Sequence, residues 1–305
     1  MKKTITILML LFLMTTLLLQ TTYAQTWQNV GTAGFSAGEA YHTSIAMDAS
    51  DTPFVVFTDF GNSGNATVKK FDGTSWVTVG TEGFSAGLAQ YTSIAIDGNG
   101  TPYVAYSDHG NGTKATVMKY DGSSWVTVGM SGFSIGEPNF ISIAINSSGT
   151  PYVLYSDGGN GNKATVMKFD GSGWVSVGTE GFSAEVADLP SIAIDESGTP
   201  YVVYVDYGNL AKATVMKFDG TSWINVGLAG FSTAEANNTK IAIDGNGIPY
   251  VVYMDFGNSY KATVMKFNGT SWINVGLPGF SAALADNTNI AIDGNGTPYV
   301  VYQDI

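Results

Sequence analysis

Short apolar or alternating runs follow one another along this chain, each bounded by Gly, Asn, Asp or Ser. In the unit 92–129 the runs are SIAID (93–97), YVAYS (103–107), ATVMKY (115–120) and WVTVG (125–129). They are rich in β-branched and aromatic residues and too short for stable helices, so each predicts a strand. Between them stand DGNGTP, DHGNGTK and DGSS, where Gly and Asn supply positive φ and Pro102 falls at a strand entrance. The pattern predicts four short antiparallel strands per unit, here named A to D in chain order.

The unit recurs. Tryptophans stand at 27, 76, 125, 174, 223 and 272, a constant step of 49. Four antiparallel strands in a period of this length make the blade of a β-propeller. A parallel β-helix favours shorter coils, and a helical repeat has nowhere to put its helices. Blades pack face to face, which explains why runs such as YVVY (250–253) are apolar on both sides. The recurrent Trp is expected to pack between blades, burying on the order of 200 Å²; a ligand-stacking Trp in every blade is the alternative. The expected fold is all-β, a propeller of four-stranded antiparallel blades with six repeats, the last incomplete.

The strands do not come in equal numbers. A, B and D are written six times and C five, because the chain opens on a D strand at 27–31 and stops after a B strand at 298–304. Two outcomes are expected. The N-terminal strand joins the last blade and hides its edge, or the chain is a piece of a longer one and ends on an open strand edge.

From Trp27 to Asp304 the chain resembles the highly repetitive β-propellers of exported bacterial proteins, with copies alike enough to imply recent duplication. No Trp-Asp pair closes the blades, and only Gly158-Gly159 resembles a kelch double glycine. The turn DGTSW (72–76) is similar to the Asp-box of sialidases and lies at the same C–D position, with one residue fewer between Asp and Trp. Sialidase chemistry calls for an arginine cluster, and this chain has no Arg.

The N-terminus changes the domain picture. Lys2 and Lys3 precede an apolar run over 5–19, and Thr22-Tyr23-Ala24 offers small residues before a cut. This is the form of a secretory signal peptide over 1–24, leaving 25–305 as a single propeller domain of an exported, soluble monomer without membrane insertion. All 13 basic residues are lysine, against 25 acids, for a net charge of −12. Such a surface repels phosphate backbones, which argues against nucleic-acid and anionic-membrane partners. Without Cys there are no disulfides and no thiolate metal sites.

Comparing the copies shows where change collects. The A–B links (DGNGTP, DESGTP) and C–D links (FDGTS, YDGSS) are nearly uniform. The D–A links (SAGEAYHT, SIGEPNFI, SAEVADLP) and B–C links (DFGNSGN, DYGNLAK) vary. In an up-and-down blade these two variable turns emerge on one face, so the variation gathers on one rim. Rigid strands presenting variable loops are a usual layout for binding. The rim carries the candidate ligand residues Tyr41, His42, Phe60, Tyr91, His109, Phe140, Asp188, Tyr207 and Phe256, and further acids at Glu39, Glu137, Glu185, Glu235 and Asp286. The first-choice sites are Tyr41 with His42, Tyr91 with His109, and Tyr207. Exposed rings beside carboxylates and amides suit sugars, and they also suit a flat protein epitope. The expected partner is a glycan or a cell-surface protein, met at several sites in multivalent, lectin-like fashion.

An Asp closes every B strand, at 59, 108, 157, 206, 255 and 304. An Asx-type turn over the following Gly-Asn accounts for it; a Ca²⁺-holding ring at the channel mouth is the sharper alternative. No cofactor or metal is expected. His42 and His109 are the only histidines and stand at different offsets in the repeat, and nothing in the pattern picks a carboxylate pair for a hydrolase or lyase. No catalytic residue is expected; a carboxylate-dependent glycoside hydrolase or lyase remains the enzymatic alternative.

Overall fold

The computed structural model describes residues 29–305. The expected signal segment and Trp27 lie outside the described residues. Five four-stranded antiparallel sheets follow in chain order, then a two-stranded one. The second blade is representative, with strands Ala89–Ile96, Pro102–Asp108, Lys114–Tyr120 and Trp125–Thr127. Strand D is shorter than its apolar run because Gly129 turns at φ 72° and closes the strand. Strand A is longer than expected and begins in what the pattern assigns to the variable D–A link. Its pairing with B shifts register between Gln90 and Ser93, and the same bulge recurs in every blade.

Each blade packs on the next through one repeated device. The Trp125 indole Nε1–H donates to the Val79 carbonyl of the preceding blade at 2.8 Å, and its ring stacks on Phe84 with centroids 4.1 Å apart. Trp174, Trp223 and Trp272 repeat both contacts with the blade before them. Gly80 sits over the Trp125 ring at φ 73°, where a Cβ would stand 3.0 Å from the indole, so the position requires glycine. The Ser of the recurring GFS motif is buried: Ser85 Oγ accepts from Ala66 N at 2.9 Å and donates to Gly87 O at 2.6 Å. The repeated phrase thus encodes blade-to-blade packing.

The core is a series of inter-blade layers. Val104, Val153, Val202 and Val251 on the B strands are fully buried. Beside them Tyr106, Tyr155, Tyr204 and Tyr253 are 1–2% exposed, and each phenol O–H donates to a Met thioether on strand C, as Tyr106 does to Met118 at 3.2 Å. Burial pushes these phenols far above the usual range, so they stay neutral.

The last blade differs. Pro298–Asp304 pairs with Ala285–Ile292 and with no other strand among the described residues. Val30 O accepts from the Trp76 indole at 2.7 Å, which places the start of the described chain against blade one as Val79 stands to Trp125. Val30 thus holds the place of a fourth strand in the blade before blade one, and among the described residues no third strand covers the edge of Pro298–Asp304. Tyr299 and Val301 are 58% and 55% exposed, where their counterparts Tyr250 and Val252 are 5% and 0%.

Candidate functional site

The A-strand bulges line the axis of the ring. Each turns on one residue in the left-handed region: His42, Tyr91, Phe140, Leu189, Asn238 and Asn287, with φ between 47° and 54°. Such a conformation costs a non-glycine residue on the order of 1–3 kcal/mol and persists where the surroundings over-determine it. Here part of the surroundings is the neighbouring blade. Thr92 Oγ1 donates to His42 O, Thr239 Oγ1 to Leu189 O at 3.1 Å, and Thr288 Oγ1 to Asn238 O. One position further on, Ser44, Ser93, Ser142 and Ser191 each accept the backbone N–H of an Ile in the following blade, at 3.3 to 3.5 Å.

These strands enclose a central cavity of about 1030 Å³, open toward the gap between blades one and six. Its wall joins His42, Tyr91 and Phe140 to Leu189, Pro190, Asn238, Asn287 and Lys240. The three rings form a continuous arc, with centroids 4.9 Å apart from His42 to Tyr91 and 5.0 Å from Tyr91 to Phe140. Partial desolvation draws the His42 pKa below its ordinary value of 6.5, favouring a neutral ring at pH 7. Desolvation first, then the charges of Glu137 and Asp188, raise the Tyr91 phenol. On the opposite arc Asn238 Nδ2 donates to Asp286 Oδ1. No Asp or Glu is among the described residues lining the cavity.

The sequence-derived candidates sort into different groups than their positions in the chain imply. Tyr91 meets His42 and Phe140 across blades, whereas His109 stands apart with its Nε2 3.0 Å from Gln90 Oε1. Tyr41 packs edge-on to Phe60 at 5.3 Å, and its phenol donates to Glu39 at 3.3 Å. Phe256 lies 4.6 Å from Tyr260, and Tyr207 is 56% exposed. Asp188 is half-buried beside its own bulge, accepting from Leu189 N at 3.0 Å, and burial raises its pKa. Of the expected groupings, Tyr41 and His42 both line the cavity, whereas Tyr91 lines it without His109. The first bulge brings Tyr41, His42, Thr43 and Ser44 together to the cavity wall, which a loop reading of the D–A link does not reveal. Leu189, Asn238, Asn287 and Lys240 did not emerge as candidates, although counting in steps of 49 from His42 reaches the first three.

Five of the six B-strand aspartates are accounted for by turn chemistry, and Asp304 accepts from Ala283 N at 3.0 Å. Asp59 is 1% exposed; Oδ1 accepts from Gly61 N at 3.0 Å, and Oδ2 from Asn62 Nδ2 and Thr67 Oγ1 at 2.9 Å each. It caps a single 3₁₀ turn, Phe60–Asn62, and Asp157, Asp206 and Asp255 repeat the arrangement in full. Their carboxylate oxygens are engaged by protein donors, and no group of three or more metal-ligating side chains gathers among the described residues.

No family model matches the chain, and no curated protein matches it in sequence. Solved structures match it across most of its length. The Aleuria aurantia lectin, described as a six-bladed β-propeller with a fucose recognition mode, is 15% identical with a TM-score of 0.57, covering 86% of this chain and 87% of its own. The SapL1 lectin, solved with α-methyl fucoside, is 15% identical with a TM-score of 0.59 over 86% and 88%. A protein of unknown function from Dyadobacter fermentans is 12% identical with a TM-score of 0.54 over 86% and 93%. At these identities the likeness establishes the fold: five four-stranded blades and a two-stranded partial one, built as in six-bladed propellers.

Proposed function

We propose that this chain is an exported, lectin-like glycan-binding module whose ligand meets the face formed by the D–A and B–C turns. The observation that carries this reading is the His42–Tyr91–Phe140 arc, three rings from three blades sharing one cavity wall with side-chain amides. Sugar C–H faces stack on such rings while hydroxyls pair with amides, and a large part of the wall is already shaped before any ligand arrives. The sugar-bound propellers of similar fold support the class of ligand, and the signal-peptide pattern over 1–24 supports export. A wall without carboxylates favours binding over glycoside hydrolysis, which needs two acids flanking the bond. The exposed Tyr41–Phe60 pair and Tyr207 offer further contacts on the same face, so weak individual sites combine by avidity.

A glycan array probed with residues 25–305 tests this, alongside Tyr91→Ala and, away from the cavity, His109→Ala. The expected result is a defined set of sugar ligands whose binding falls about tenfold, or 1.4 kcal/mol, in Tyr91→Ala and changes little in His109→Ala. An array without hits, together with a specific protein recovered by pull-down, would replace the glycan reading with an adhesion scaffold.

A further inference from the structure

Every lysine from residue 25 onward lies on a C strand, with one exception. Lys240 stands on the innermost strand of blade five, at the position that Ser44, Ser93, Ser142 and Ser191 hold in blades one to four. Those serines clamp the following blade by accepting an Ile N–H. At Lys240 that link is missing, and the corresponding Ile290 N–H is taken by Asn289 Oδ1 at 2.8 Å. A repeated structural contact has been exchanged for a cation in the cavity wall.

The surroundings leave that cation without a counter-charge. The ion pair found among the described residues is Lys69 with Glu82. Lys240 shares the cavity wall with Asn238, Asn289, Pro190 and Ser44, and the other ionisable lining groups are His42 and the phenols of Tyr41 and Tyr91. Desolvation alone lowers its pKa, and no neighbouring carboxylate offsets it. Asp188 and Asp286, the acids nearest in sequence to the bulges, are engaged by Leu189 N and by Asn238 Nδ2. A partly desolvated ammonium lacking an acid partner is a receptor for an anion, because the pair it would form exchanges little hydration on the protein side. The chain carries a net charge of −12, so it does not draw anions to its surface in general, and any preference for one must be local.

We propose that the central cavity selects sugars bearing a carboxylate, with Lys240 as the counter-charge and the His42–Tyr91–Phe140 arc as the stacking surface. This rests on the glycan-binding reading and names its ligand class: a uronic-acid type of sugar, held by its ring on one wall and by its carboxylate on the other. The cavity volume of about 1030 Å³ has room for a short oligosaccharide rather than a single ring.

Calorimetric titration of residues 25–305 with oligogalacturonate and with the matched neutral oligogalactose tests the proposal, in the wild type, Lys240→Ser and Lys240→Arg. Lys240→Ser installs the residue that four other blades carry, so it is expected to fold; the thermal midpoint checks this directly. The wild type is expected to prefer the acidic sugar by about tenfold or more, the range of a charge-assisted hydrogen bond. Lys240→Ser should lose that preference while keeping its affinity for the neutral sugar, and Lys240→Arg should retain it. Equal affinity for both sugars in the wild type, or a preference that survives in Lys240→Ser, overturns the role of Lys240 and leaves the glycan reading standing. Binding of neither sugar, with other neutral glycans bound on the array, also overturns it without touching that reading. An array without any hit removes both.

Discussion

At the residue scale, the chain uses the same side-chain types for opposite tasks according to where the bulge sends them. Phe84 and Phe133 are fixed against the next blade's Trp, whereas Phe140 and Tyr91, a few residues further along, turn into the cavity. Asp59, Asp157, Asp206 and Asp255 are buried and satisfied by three donors, whereas Asp188 is half-buried with one backbone donor to its side chain. Burial raises the Asp188 pKa above its ordinary 3.8, so the folded state favours the protonated carboxyl relative to the unfolded chain. Ionised Asp188 therefore lowers stability above the folded pKa; the penalty fades as pH falls toward 3.8 and is absent below it. Asp188→Asn keeps the acceptor for Leu189 N and removes the charge. Urea unfolding should place its midpoint above the wild type at pH 7 and level with it at pH 3; a variant that is weaker at pH 7 would contradict the assigned cause.

At the element scale, the open edge of Pro298–Asp304 stands out because five other blades show what normally covers it. In those blades the strand Lys-Ala-Thr-Val-Met-Lys-Phe, or a close copy, pairs with the B strand, and the Ala and both middle residues are buried. The uncovered surface extends across the gap to Ile45 and Met47 of blade one, 54% and 51% exposed, where Ile94 is 5% exposed. Adding a copy of residues 257–267 after Ile305 supplies the missing third strand in its natural register. It should raise the thermal midpoint and reduce binding of a hydrophobic dye. Each buried Val or Ile side chain contributes about 1.5–3 kcal/mol before strand ordering is subtracted. An extended chain that melts no higher would show that the edge does not accept its own repeat.

At the scale of the whole molecule, each blade contacts only its neighbours, so stability is close to a sum of blades and interfaces. Blades two to four have a full inter-blade layer on both sides, whereas the layer between blades five and six is small and blade one faces the gap. Native-state hydrogen exchange should follow that order. Amides of Pro151–Asp157 and Pro200–Asp206, in the middle of the series, should be the slowest, and those of Pro298–Asp304 and Ala40–Met47 the fastest among the strands. Uniform protection across all six blades would instead indicate that the ring opens as one cooperative unit.

The period of 49, the four strands and the inter-blade Trp were legible in the sequence, because periodicity and turn chemistry are local and the repeat states them again in every copy. The Asx turns were legible for the same reason. The variable loops were legible from comparing copies, since the contacts that repeat between them are made by backbone atoms and leave their side chains free to differ. The partners of the variable residues were not. His42, Tyr91 and Phe140 are 49 residues apart and become neighbours only because the ring brings successive bulges to one axis. The bulge itself left no visible mark, because six different residues adopt the same left-handed turn under the constraint of adjacent strands. Lys240 was one lysine among 13 until the structure set it on a cavity wall without an acid beside it. Sequence determined the blade, whose contacts are local and repeated; tertiary structure alone decided the site, whose contacts are made once, between distant copies.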